Sequence, residues 1–90
     1  MKKIGKFTIC GLLGKGGMGK VYKVSYPVTG KIGALKLLAP HPFLENLLGF
    51  DAIEAMFTRE AVTMARIRHP NIAEILDFDW FGGRPYFIMD

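Results

Sequence analysis

The residues best suited to chemistry begin with a glycine cluster, Gly14-Lys15-Gly16-Gly17-Met18-Gly19-Lys20-Val21. Glycines at this density leave backbone N–H groups unshielded, so that they can approach the oxygens of a phosphate closely. Two helix-dependent phosphate motifs fit the spacing and fail on context. A Walker A loop needs a Ser or Thr where Val21 stands. Both it and the dinucleotide G-x-G-x-x-G pattern also need a helix next, whereas residues 20–26 read as a strand. What remains is a glycine-rich β-hairpin, with an ordinary flexible hairpin as the other reading of the loop taken alone.

Two charged residues weigh on that choice. Lys36 lies inside the apolar run Gly33-Ala34-Leu35-Lys36-Leu37-Leu38, where strand alternation places it on the face of Ala34. Glu60 lies seven residues after Ile53, three after Phe57 and four before Met64, and so shares their helical stripe. Taken singly, each could snorkel to solvent. Together, a carboxylate and an ammonium at the margin of a core are costly unless paired or liganded. The economical expectation is that Lys36 and Glu60 meet, with the ammonium also free to bind phosphate.

The elements that must position these groups follow from local pattern. Residues 7–13, 20–26 and 32–38 read as strands, with a turn at Val28-Thr29-Gly30-Lys31. Ala39-Pro40-His41-Pro42 breaks structure twice, and the stretch from Leu38 to Asp51 has no functional reading. Asp51 and Glu54 resemble a capping box, and Ile53, Phe57, Met64 and Ile67 recur at helical spacing, which predicts a helix over 51–68 ended by His69-Pro70-Asn71. Residues 75–80 and 85–89 read as two further strands around Gly82-Gly83. The order βββαββ predicts an α+β domain spanning 1–90, a five-stranded antiparallel sheet with one main helix.

Composition bounds the function. Ninety residues make one small domain, 50% apolar and 22% charged, which is far from a disordered composition. The net charge of +4 hides an asymmetry: residues 1–44 carry eight lysines and no acid, and residues 45–90 carry four arginines and all eight acids. A half without a carboxylate points to an anionic partner. A lone cysteine, Cys10, excludes an intramolecular disulfide and is expected to be a buried, inert thiol. Lys6 interrupts the first apolar run, no signal-peptide cleavage site follows, and no stretch is long enough to cross a bilayer. The expected setting is cytoplasmic, with no membrane segment in this chain.

With these motifs in place, the chain resembles the N-terminal lobe of a eukaryotic-type (Hanks-type) serine/threonine protein kinase, bacterial in flavour. Residues 14–21 match the kinase G-x-G-x-x-G-x-V loop. Gly33-Ala34-Leu35-Lys36 resembles the Val-Ala-Ile-Lys strand, departing from it at Gly33 and Leu35. Phe57-Thr58-Arg59-Glu60-Ala61 resembles the helix segment bearing the ion-pair glutamate. His69-Pro70-Asn71-Ile72 resembles the element that follows it, and Pro85-Tyr86-Phe87-Ile88-Met89-Asp90 the strand before the hinge.

The resemblance implies an ATP site. Gly14, Gly16 and Gly19 would shape the lid over the ATP phosphates, with Met18 at its tip, and Leu13, Lys15 and Gly17 would be nucleotide-binding beside them. Val21 and Ala34 would roof the adenine, and Lys36, held by Glu60, would contact the α- and β-phosphates. Met89 would be the gatekeeper and Asp90 the first hinge residue, while Met64 and Ile75 would join an apolar column between lobes. Nothing matches the His-Arg-Asp loop or the Asp-Phe-Gly motif, so this chain holds no magnesium ligand. It is expected to be a truncated lobe, inactive alone, whose parent transfers the ATP γ-phosphate to a protein substrate engaged by the other lobe. An exposed lobe interface is also expected to favour self-association. A stand-alone regulatory or nucleotide-sensing protein is the alternative. A nucleic-acid domain stacking bases on Phe7, Tyr22 and Tyr26 is set aside, because a basic stripe by itself supports only weak, salt-sensitive binding.

Overall fold

Strand alternation along Ile32–Leu38 sends Leu35 to one side of a sheet and Ala34, Lys36 and Leu38 to the other, and the rest of the fold covers those two faces. The computed structural model describes residues 2–90. The chain runs β1 (Lys3–Ile4), β2 (Phe7–Lys15), β3 (Gly19–Ser25), β4 (Ile32–Leu38), α1 (Pro42–Leu48), α2 (Phe50–Arg66), β5 (Ile75–Phe81) and β6 (Arg84–Met89). All strand pairs are antiparallel, in the order β1-β2-β3-β4-β6-β5.

Two apolar clusters hold the sheet. On one face Ile4, Phe7, Val24, Leu35, Tyr86 and Ile88 are buried together. Phe7 meets Tyr26 edge-on at 5.1 Å between ring centroids, a favourable quadrupole geometry. Burial pushes the Tyr86 phenol above its ordinary pKa range, and the charges of Asp79 and Asp77 push the same way. On the other face Ile53, Phe57 and Ala61 of α2 pack with Leu38 and Phe87. That packing fixes the helix across the sheet.

The α+β class and the strand and helix order match the expectation, with two additions. A two-residue strand, β1, makes the sheet six-stranded rather than five-stranded. A short helix, α1, fills part of the stretch between Leu38 and Asp51. Its start is signalled by Pro42, whose fixed φ suits a first helical turn, while His41 caps it with Nδ1 accepting the Phe43 N–H at 3.1 Å.

Three local expectations are corrected. Asp51 does not cap a helix: α2 begins one residue earlier, and its cap is Gly49 at φ +81° with no side-chain hydrogen bond. The Gly49 N–H closes α1 on the Glu45 carbonyl, and its own carbonyl accepts from Ile53, so one left-handed glycine serves both helices. The helix also ends at Arg66 rather than residue 68. Cys10 is exposed rather than buried. The β2–β3 register runs from Ile9↔Val24 to Gly11↔Lys23, so Cys10 is the extra residue of a bulge and leaves the alternation that would have buried it.

Truncating Phe57, 1% exposed, to Ala should destabilise the chain by about 3–5 kcal/mol. Replacing the bulged Cys10 by Ser should cost less than about 0.5 kcal/mol. Urea unfolding followed by circular dichroism measures both, and equal losses would contradict the assigned core.

Candidate functional site

Sheet register assembles the site. Val21 of β3 lies opposite Lys36, and Ala34 of β4 lies opposite Met89 of β6. Directly opposed residues share a face, as do Ala34 and Lys36 two apart, so Val21, Ala34, Lys36 and Met89 all lie on the face that carries α2.

From that face Lys36 Nζ donates to Glu60 Oε1 at 2.8 Å, the one salt bridge among the described residues. The Phe87 ring lies beside the same ammonium, 6.0 Å from Nζ to centroid. The two side chains are 26% and 45% exposed, so burial does not force the pairing. On α2, Ala61 turns into the core while Glu60 stands at its rim, a small rotation from the stripe read in the sequence. A pair this exposed contributes little to stability, about 0–1 kcal/mol. Its geometry instead holds an ammonium in place with donor capacity to spare, since Lys carries three N–H donors.

The glycine cluster forms the β2–β3 hairpin. Gly14 pairs with Val21 and Lys15 with Lys20, and the turn closes with Gly16 N–H on the Gly19 carbonyl at 2.9 Å. None of Gly14, Gly16, Gly17 and Gly19 has positive φ. Only Gly19 is required by packing: a Cβ there would collide with the Leu37 carbonyl oxygen. Around Gly14 and Gly16 a Cβ would meet open space. The fold therefore leaves those two positions free to accept a side chain. Lys15 and Lys20, directly opposed with like charge, are unfavourable for the hairpin unless an anion sits between or beside them. A cleft lined by both, with Gly16, Gly17, His41 and Arg84, contains no carboxylate.

The other expected site residues fall as follows. Leu13 is the extra residue of a second bulge and is 60% exposed just before Gly14. Met18 is not a free tip: it packs onto the α2-facing cluster, as do Met64, Ile75 and Met89. Asp90 is exposed, with its N–H on the Glu74 carbonyl at 3.2 Å. Residues that the sequence reading passed over are Phe87, Lys20 and Arg84. Phe87 was legible from its alternation with Met89, whereas the approach of Arg84 to the hairpin depends on tertiary packing. The described residues offer no group of three or more His, Cys, Asp or Glu that could hold a metal ion.

No protein-family model matches the chain. It is 33% identical over 87 residues to the DNA damage-responsive serine/threonine-protein kinase RqkA of Deinococcus radiodurans, covering 94% of this chain and 12% of that protein. It is 37% identical over 73 residues to serine/threonine-protein kinase pkn3 of Myxococcus xanthus, covering 81% of this chain and 12% of that one. The crystal structure of the Mycobacterium tuberculosis PknI kinase domain superposes with a TM-score of 0.69 at 31% identity, over 99% of this chain and 34% of that one. A structure titled PpkA-294 apo form, at 24% identity and TM-score 0.83 over 99% of this chain and 36% of that one, shares the fold. The architecture is thus that of a protein-kinase N-terminal lobe. In sequence and fold together, the chain is a homologue of that lobe in bacterial Hanks-type serine/threonine protein kinases. It spans 12% of the length of each of these two curated relatives.

The two classes of glycine separate by stability. Gly19→Ala should destabilise the chain by about 1–3 kcal/mol through overpacking. Gly16→Ala should leave stability unchanged or raise it by up to about 1 kcal/mol. Thermal unfolding of the two variants checks this, and similar melting temperatures would contradict the assignment.

Proposed function

We propose that the chain is the ATP-binding lobe, residues 1–90, of a serine/threonine protein kinase. The observation that carries this is the Lys36–Glu60 pair at 2.8 Å, set on the same sheet face as Val21, Ala34 and Met89 and following a glycine hairpin whose Gly14 and Gly16 the fold leaves bare.

The roles follow from the chemistry of each group. Lys36 neutralises the α- and β-phosphates, and Glu60 keeps its ammonium extended toward them. Backbone N–H groups of the hairpin other than that of Gly16, which closes the turn on the Gly19 carbonyl, approach the phosphates where no side chain intervenes, and Lys15 has an anion to offset its repulsion by Lys20. Val21, Ala34 and Leu13 offer apolar contact to the base, with Met89 behind it and Asp90 at the hinge edge. The catalytic base, the magnesium ligands and the protein-substrate surface belong to a second lobe, so phosphoryl transfer is a property of a longer parent protein and the 90 residues alone are inactive. The partners are ATP and a protein substrate; nucleic acid is not among them. ATP and a single cysteine suit a cytoplasmic setting. No helix is long and apolar enough to cross a membrane among the described residues.

Titration of the chain with ATP by calorimetry tests the site. Lys36→Met should weaken binding at least about tenfold, the effect of losing a charge-assisted contact. Its melting temperature should shift by no more than a few degrees, because the pair is exposed. Unchanged affinity in the variant would sink the assignment. In the parent protein the same substitution should abolish transfer to Ser or Thr.

The open nucleotide face, edged by Leu13 at 60% exposure, is also the proposed route of self-association. Sedimentation velocity should show dimer growing with concentration and falling in Leu13→Ser. A monomer at every concentration would contradict it.

A further inference from the structure

The glycine hairpin, which needs a defined height above Lys36 to serve phosphates, has little stiffness of its own, yet its tip is held from three directions. The Ala39 N–H donates to the Met18 carbonyl at 3.1 Å, and the His41 N–H donates to the Gly17 carbonyl at 2.9 Å. The Met18 side chain, half-buried, packs onto the cluster of Leu38, Ile53, Phe57, Ala61 and Phe87. Leu44 of α1 packs on that cluster too and closes over the hairpin, with its Cδ2 3.8 Å from where a Gly17 Cβ would stand. Three of the five cluster residues belong to α2, and Ala61 is the chain neighbour of Glu60. The tip of the hairpin and the helix that holds Lys36 are therefore seated in one packed unit.

We propose that Met18 is a positioning residue for nucleotide: its side chain, with the 39–41 connection, fixes the hairpin over Lys36 and ties its height to the helix bearing Glu60. This rests on the ATP-site reading given above. Met18 acts by removing the conformational freedom that a four-glycine hairpin would otherwise lose only when ligand binds. The connection between β4 and α2 thereby acquires a function, as a strap that presents two backbone N–H groups to the hairpin carbonyls.

Two readouts on the 90-residue chain test this, using ATP as the probe and the variants Met18→Ser and Met18→Leu. Hydrogen exchange should show the Ala39 and His41 amides of Met18→Ser exchanging about tenfold faster, with the Leu35 amide still protected. ATP affinity of the same variant should fall about five- to tenfold through lost preorganisation. Met18→Leu, which keeps an apolar side chain of similar volume, should restore both values. Unchanged exchange at Ala39 and His41 in Met18→Ser overturns the tether whether or not ATP binds. Unchanged or improved ATP affinity, in the presence of a clear loss for Lys36→Met, overturns the positioning role. If Lys36→Met has no effect, the ATP-site reading fails, and the exchange measurement still decides the tether. Should Met18→Ser lose Leu35 protection through unfolding, Leu44→Ala takes its place with the same expected changes at Ala39 and His41.

Discussion

The alternation of Leu35 and Lys36 on β4 is the constraint on which the structure turns. Leu35 is fully buried in one cluster, and the next residue must then face the opposite way, toward α2. A shift of pairing by one residue would put the ammonium into the apolar cluster of Phe7, Val24 and Ile88 and expel Leu35 to the rim. Desolvating an unpaired ammonium costs several kcal/mol, at ~25 cal/mol per Å² on top for the leucine surface exposed. Seven registered pairs with β3 and four with β6 lock the correct choice. Once it is locked, Val21, Ala34 and Met89 have no alternative but to share the face of Lys36.

The ion pair that results is not what stabilises the fold. Both partners stand at the rim, half in water, where the Coulomb attraction is screened and the ordering of two long side chains offsets much of it. The cluster beneath them does the holding: Phe57 and Ala61 flank Glu60 on α2, and Phe87 lies under Lys36. The separation has a functional sense. A site whose charges are anchored by apolar packing can exchange one anionic partner for another without unfolding.

The hairpin divides in the same way. Gly19 belongs to the fold, wedged against the Leu37 carbonyl, whereas Gly14 and Gly16 have empty space around them. The 39–41 strap grips the tip by backbone hydrogen bonds, and α1 fits between strap and α2 through a single left-handed glycine at position 49. A stretch of chain without a motif of its own is therefore placed to join the glycine hairpin to the helix bearing Glu60.

Much of this was legible in the residues. Periodicity and turn chemistry placed five strands and the long helix within a residue or two, and the order Gly14–Gly19, Lys36, Glu60 carried the kinase-lobe resemblance, because those signals are local and short-range in cause. Where a bulge shifts the pairing, local pattern fails: Cys10 and Leu13 left the alternation because the strand opposite β2 is one residue shorter at each bulge, which only pairing reveals. Asp51 carried the letter of a cap, but the preceding helix had already fixed where α2 begins. The meeting of Lys36 with Glu60 at 2.8 Å, 24 positions apart in sequence, was inferred from the cost of lone charges and came about by another route, the docking of α2 on Phe87. The backbone contacts from Ala39 and His41 to the hairpin had no signature at all. Every residue carries the same N–H and carbonyl, so side-chain types determined which faces were apolar, and only tertiary packing decided which backbone groups would meet.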